Sequence, residues 1–214
     1  MTGKIIYVGF EKTGTTSLGI ALKMLGYSVK EHCPRALMPI LKGNYIKVHR
    51  IIRNYDAVAD KPWFKIYKEL DNELPGSKFI LTIRDESNWY NSVSRHFGIL
   101  RTPLHEWIYG RGNGIPKENK QNTIKVYSKH NQEVINYFKN RPNDLLILDL
   151  SEKDIWEKLC DFLGHEIPQG QFPHSNKNAT SDQFKESFRM RLTLLRRKIK
   201  NYILIRYIDL RGYW

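Results

Sequence analysis

The sequence predicts an α/β fold, a doubly wound parallel sheet flanked by helices. Three observations lead there. Short apolar runs alternate with stretches whose apolar residues recur at helical spacing, the pattern of parallel strands joined by right-handed crossovers. The first run, Ile5-Ile6-Tyr7-Val8, passes through a loop bounded by Gly9 and Gly14 straight into a helical pattern. A later run, Lys78-Phe79-Ile80-Leu81-Thr82-Ile83-Arg84, is apolar at consecutive positions, as a strand covered on both faces must be. With 214 residues the chain has the length of one such domain and buries a sizeable core.

Taken in order, Thr15 to Leu25 reads as the first helix, with Leu18, Leu22 and Leu25 apolar and Gly26 as its stop. Tyr27 to Val29 reads as a short second strand, and Pro34 to Arg53 as helical turns. Ala57-Val58-Ala59-Asp60 is a strand ending in a carboxylate, and Pro62 opens a helix carrying Trp63, Phe64, Tyr67 and Leu70. Leu74-Pro75-Gly76-Ser77 turns into the strand ending at Arg84, and Asp85 caps the next helix. The stretch from Gly98 to Asn119 is rich in glycine and proline and reads as an irregular substrate lid. Asn122 to Asn140 is a helix, Leu145 to Leu148 a strand, and Ile155 to Leu163 a helix ended by Gly164. There is no internal repeat. Ligands of such a sheet bind at the carboxyl ends of its strands, which places Gly9–Ser17, Asp60, Arg84 and the turn after Leu148 along one edge.

The loop from Gly9 to Ser17 carries the first chemical signal. Glycines permit its tight path, and the amides of Gly14, Thr15, Thr16 and Ser17 at a helix entrance favour an anion. A nucleoside-triphosphate loop needs Gly, four residues, then Gly-Lys-Ser/Thr. Here Thr15 stands where that lysine belongs, and the lysine has moved inside the loop as Lys12. Phe10-Glu11-Lys12-Thr13-Gly14-Thr15-Thr16-Ser17-Leu18 resembles the 5′-phosphosulfate loop of the sulfotransferases that use 3′-phosphoadenosine-5′-phosphosulfate (PAPS). The stretch from Phe79-Ile80-Leu81-Thr82-Ile83-Arg84 through Asn91-Ser92 resembles their 3′-phosphate element, an arginine ending a strand and a serine eight residues on. Leu145 to Leu150, Trp156 to Gly164 and Phe172-Pro173-His174-Ser175-Asn176-Lys177 are similar in order to the C-terminal half of a mostly microbial branch.

The resemblance covers roughly residues 4 to 178. It implies a P-loop NTPase-like three-layer architecture and transfer of a sulfuryl group from PAPS to a hydroxyl or amine, leaving adenosine 3′,5′-bisphosphate. It implies cofactor contacts from Lys12, Thr13, Gly14, Thr15, Thr16, Ser17, Arg84, Ser92 and Lys177, and charge relief on the leaving phosphate by Lys12. A sulfuryl group carries less charge than a phosphoryl group, so the lysine serves without magnesium, and no cluster of metal-binding carboxylates stands out in the sequence. Family members often have tryptophan against adenine where this chain has Ser17. Asp60, followed by Lys61-Pro62, resembles the base-bearing segment of the family. It also reads as a helix cap before Pro62, and His49 and His32 are alternative bases.

Net charge is +13, which suits a polyanionic cofactor, an acidic acceptor, nucleic acid or an anionic membrane. Two rivals follow: a small-molecule or nucleotide kinase on the same fold, against which Thr15 argues, and a nucleic-acid-binding module, for which no recognition motif is present. The expected acceptor is a small molecule, lipid or carbohydrate, with Arg101, Trp107, Tyr109 and Arg111 as candidate lining. Cys33 and Cys160 do not make a disulfide framework. Without a signal-peptide pattern or an 18-residue apolar run, a cytoplasmic enzyme is expected. We divide the chain into a domain over 1–180 and a basic amphipathic extension over 181–214. Between 185 and 211 the extension holds nine basic and two acidic residues. It is expected to pack on the domain, on a second subunit or on an anionic membrane.

Overall fold

The computed structural model describes residues 3–97, 99–173 and 188–214. Within them, five parallel strands form one sheet: β1 (Ile5–Tyr7), β2 (Val29–Lys30), β3 (Ala57–Val58), β4 (Lys78–Ile83) and β5 (Leu145–Asp149). Their spatial order is β2-β3-β1-β4-β5. Ile5 pairs with Ala57 on one side and Lys78 on the other. The chain winds from β1 toward one edge and later crosses to the other, so the carboxyl end of β1 is where the winding reverses and a crevice opens.

The helices are α1 (Thr15–Met24), α2 (Leu37–Leu41), α3 (Tyr45–Ile52), α4 (Tyr67–Glu73), α5 (Glu86–Phe97), α6 (Pro103–Tyr109), α7 (Lys120–Phe138), α8 (Ile155–Leu163) and α9 (Phe188–Leu210). Alternation along β1 sends Ile5 and Tyr7 to one face, where they join Leu18, Leu22, Leu159 and Cys160 of α1 and α8. Ile6 and Val8 join Val48, Ile52, Leu70, Val134 and Phe138 of α3, α4 and α7 on the other. Each large side chain buried this way contributes about 1.5–3 kcal/mol of transfer free energy. The result is the three-layer α/β arrangement expected from the sequence.

Several boundaries differ from the sequence reading. The second strand lies at Val29–Lys30 rather than Tyr27–Val29. The helical turns from Pro34 onward break at Gly43 (φ 63°), after which Asn44 caps α3 by accepting from the Lys47 amide at 3.1 Å. The stretch after Gly98 is not irregular throughout, because α6 occupies its middle. Thr102 caps that helix by accepting from the His105 amide at 3.1 Å, and Pro103 fills its first turn. The buried Glu106 carboxylate then accepts from the amides of Gly112 (2.6 Å) and Gly114 (2.9 Å) and from Arg101 through two bonds of 2.7 and 2.9 Å. One carboxylate thereby ties the whole segment together. Cys33 and Cys160 are both free and buried.

Candidate functional site

The site forms where β1, β3, β4 and β5 end. β1 runs out into a loop whose backbone presses on β4. A Cβ on Gly9 would lie 2.5 Å from the Thr82 hydroxyl and 2.8 Å from the Thr82 amide nitrogen, so only glycine fits there. Thr13 turns inward, 3 % exposed, and its hydroxyl donates to the Phe10 carbonyl at 2.6 Å within a cluster that includes the Tyr7 and Thr82 hydroxyls. Of the expected cofactor contacts, Thr13 therefore has its side chain in the core, and it acts as a clasp that shapes the loop.

Lys12 adopts the left-handed backbone region (φ 67°), and so does Asp60 at the end of β3 (φ 66°). For a non-glycine residue this costs about 1–2 kcal/mol, and such residues gather at functional sites. Gly14 (φ 107°) is the N-cap of α1 and offers no side chain to its amides. A Cβ there would meet Leu150 Cδ1 at 2.1 Å, which brings the turn after β5 against the loop. Thr15 and Thr16 open α1 toward solvent, and Ser17 is buried beneath them. The first turn of α1 holds no acidic residue and Gly14 gives it no side-chain cap, so the positive end of its dipole faces the crevice.

Arg84 leaves β4 beside this loop. Its Nη1 donates to the Lys12 carbonyl at 3.3 Å. Its own backbone is held on both sides by Tyr127 of α7, whose hydroxyl accepts from the Arg84 amide (2.9 Å) and donates to the Arg84 carbonyl (2.8 Å). Trp89 stacks on Tyr127 at 4.0 Å and donates to the Glu11 carbonyl at 2.8 Å, so α5 and α7 jointly fix the loop. Asp85 accepts from the Asn88 amide at 2.9 Å and caps α5, as the sequence indicated. Ser92 lies half-buried two turns along, on the same side as Trp89 and His96. Lys177 lies outside the described residues, as do His174, Ser175 and Asn176.

Asp60 accepts from the Lys61 amide at 2.7 Å. Burial pushes its carboxyl above the ordinary value of 3.8, with the Glu11 charge adding and Lys61 opposing. His32 sits at the exposed rim close enough for Asp60 to affect it, while burial holds its imidazole below the ordinary value. His49 is elsewhere. It faces Glu73 at 3.7 Å, at the end of α4, where the chain has returned to the amino-terminal edge of the sheet. That placement removes His49 as a base for this crevice. Lys12 is lowered by burial, with Asp60 opposing and Arg84 and Lys61 reinforcing the shift.

Behind the loop lies a cluster that the sequence reading did not single out. Glu11, Lys61 and His105 are 2 %, 5 % and 3 % exposed. Lys61 Nζ lies 3.3 Å from Glu11 Oε2 and donates to His105 Nε2 at 3.0 Å, with the Phe97 ring 3.9 Å from the ammonium. Tyr109 donates to Glu11 Oε1 at 2.9 Å. Burial, then the Lys61 charge, holds His105 well below its ordinary value, so its imidazole is neutral and its 3.5 Å approach to Glu11 is not an ion pair. Charged residues read from sequence belong to the surface by default, so nothing in the pattern marks these as buried. His96 was also missed. It faces the site from α5, and burial, then Lys12 and Lys61, lowers it. Arg101 and Arg111, candidate acceptor contacts, are taken up by ion pairs with Glu106 and Asp209, and Tyr109 is buried. Among the described residues, no three His, Cys, Asp or Glu side chains are grouped to hold a metal ion.

A lysine inside a glycine-bounded loop, a helix entrance without a side-chain cap and an arginine ending the neighbouring strand lie along one basic edge. The sulfotransferase domain family matches this chain over residues 4–181, loop, arginine and all. The chain belongs to the sulfotransferase family. This sulfotransferase is 25% identical over 212 residues to the Ava biosynthesis cluster protein M of Aspergillus versicolor, covering 80% of each chain. Among solved structures it is similar to a sulfotransferase from Alicyclobacillus acidocaldarius, with a TM-score of 0.50 at 12% identity over 97% of this chain and 96% of that one. A sulfotransferase domain from the curacin biosynthetic pathway aligns over 79% of this chain and 76% of that one, with a TM-score of 0.48 and 15% identity.

Proposed function

We propose that this sulfotransferase moves the sulfuryl group of PAPS to a hydroxyl or amine acceptor by in-line transfer without a metal. The observation that carries the reading is the pairing of Lys12 and Asp60, two non-glycine residues in the left-handed region at adjacent strand ends, at the mouth of α1. PAPS supplies an activated sulfuryl group and a phosphate leaving group. The α1 amides hold the 5′-phosphate, and Arg84, pinned by Tyr127, grips the 3′-phosphate as a charged fork with Ser92. Gly14 fits the role, since the cap carries no group of its own to compete for the amides.

Lys12 stabilises the negative charge left on the bridging oxygen as the bond from that oxygen to sulfur breaks. Asp60 accepts the acceptor proton as the new bond from the acceptor to sulfur forms, and its raised pKa makes it a better base than an exposed aspartate. The acceptor enters from the crevice beside α5 and α6, where His96 and His32 line the rim. We infer a small-molecule, lipid or carbohydrate acceptor and action on the cytoplasmic side.

Calorimetry with adenosine 3′,5′-bisphosphate in the absence of magnesium, beside ATP with magnesium, tests the reading. We expect bisphosphate binding that weakens at least about tenfold in Arg84→Ala, the loss of one charge-assisted fork. Preferential, magnesium-dependent binding of ATP would overturn it in favour of phosphoryl transfer.

A further inference from the structure

Helix α9 has two apolar faces, and the fold uses one. At 100° per residue, Ile205 and Ile208 project together, and both are buried. Ile208 packs with Leu37 and Leu104, joined by Met38, Leu41 and Trp107. Asn201 adds a bond to the Arg101 carbonyl at 2.9 Å, and Asp209 an ion pair with Arg111 at 2.9 Å. The roughly opposite side carries Leu195, Ile199, Tyr202, Ile203 and Leu210, at successive helical spacings, and every one of them is more than half exposed. Arg196 and Lys200 border this stripe on one side, Lys198 lies on the other, and Arg206 falls within it.

We propose that this face of α9 docks on an anionic lipid surface. Charge selects the occupant. Among residues 193–214 there are six lysines and arginines and one acidic side chain, Asp209, which Arg111 already engages. A second copy of the helix laid on the stripe would bring two basic borders together and repel. Nucleic acid meets the charge but gains little from a central strip of leucine and isoleucine. A leaflet of anionic headgroups satisfies both. The aliphatic strip enters the headgroup–acyl boundary, and the long basic side chains reach back to the phosphates. No helix among the described residues is long and apolar enough to cross a membrane, so the contact lies in the plane of the surface. The inference is independent of the sulfuryl-transfer reading, since it uses no residue of that site.

The test is co-sedimentation of the full chain with vesicles of phosphatidylcholine, with and without phosphatidylserine, at low and high salt. The expected result is binding to the phosphatidylserine vesicles that falls as salt rises, with little binding to phosphatidylcholine alone. Ile199→Glu with Ile203→Glu, both exposed and therefore compatible with an unchanged melting temperature, lowers the partition coefficient at least about tenfold. Lys198→Glu with Lys200→Glu does the same through charge. Equal binding to both vesicle types, binding unaffected by the stripe variants, or absence of binding overturns the proposal. So does a dimer in sedimentation equilibrium that Ile199→Glu dissociates while vesicles remain unbound, because the stripe would then belong to a second copy.

Discussion

Asp60 combines a raised pKa with a place near enough to Lys12 for their charges to interact, and that fixes the direction of a pH effect. A base must be deprotonated to act, so activity is lost as pH falls through its pKa. Burial raises that pKa above the ordinary 3.8, and the acid limb should lie correspondingly higher. Sulfuryl transfer to a given acceptor, followed from acid to neutral pH, should show this limb in the wild type. Asp60→Asn should lower kcat by about 10²–10⁴-fold and abolish the limb. An unchanged limb in the variant would move the role to His32 or His96 at the rim. His130 offers a different titration. Its Nε2 donates to the Val8 carbonyl at 2.7 Å between the rings of Phe10, Phe64 and Tyr67, and burial lowers its pKa from 6.5 to about 4. A depressed folded pKa gives stability that is complete above 6.5 and lost as pH falls toward about 4. The amount is about 3 kcal/mol, read as a falling urea midpoint that flattens in His130→Gln.

At the scale of elements, the loop after β1 is held from below by charges as well as by hydroxyls. Lys61 enters from the end of β3, Glu11 from the loop and His105 from α6, and each is nearly closed off from water. Removing one partner leaves the other charged and unpaired, which costs about 3–5 kcal/mol. Glu11→Gln and Lys61→Met should each destabilise by an amount of that order, and the double variant by much less than their sum. Additive losses in denaturant melts would show that the two side chains do not act as a pair. Gly9→Ala tests the other support. Its Cβ would overlap both the Thr82 side chain and its amide, so β1 and β4 must part, at a cost of about 1–3 kcal/mol and a melting temperature lower by several degrees.

The elements also show what a sequence can disclose. The strand, loop and helix around Lys12 were legible because glycine placement and apolar runs are local. Arg84 and Asp60 followed because a parallel sheet puts strand ends together. Helix α6 was hidden by the glycines and prolines around it, although Thr102-Pro103 is a helix start. The Glu11–Lys61–His105 cluster was illegible, since it joins residues up to 94 apart in the chain and its members carry charge.

For the whole molecule, the same contrast separates the sheet from α9. The matched family ends at residue 181, and α9 begins at Phe188. Two large clusters, one on each face of the sheet, hold the layers together, whereas α9 rests on the smaller group around Leu37, Leu104 and Ile208. Such an element opens at lower free energy than the core, as a local unit. Ile208→Asp buries a charge only at this contact. It should therefore release α9 and speed tryptic cleavage among Arg196, Arg197, Lys198 and Lys200 severalfold, while the main melting transition stays within a few degrees of wild type. If the main transition instead fell with the cleavage pattern unchanged, α9 would be part of the cooperative core. The division into a catalytic domain and a separately docked basic helix would then be wrong. Retained melting with faster cleavage would make α9 an appendage whose position is set by a few contacts, free to answer to a surface without disturbing the crevice.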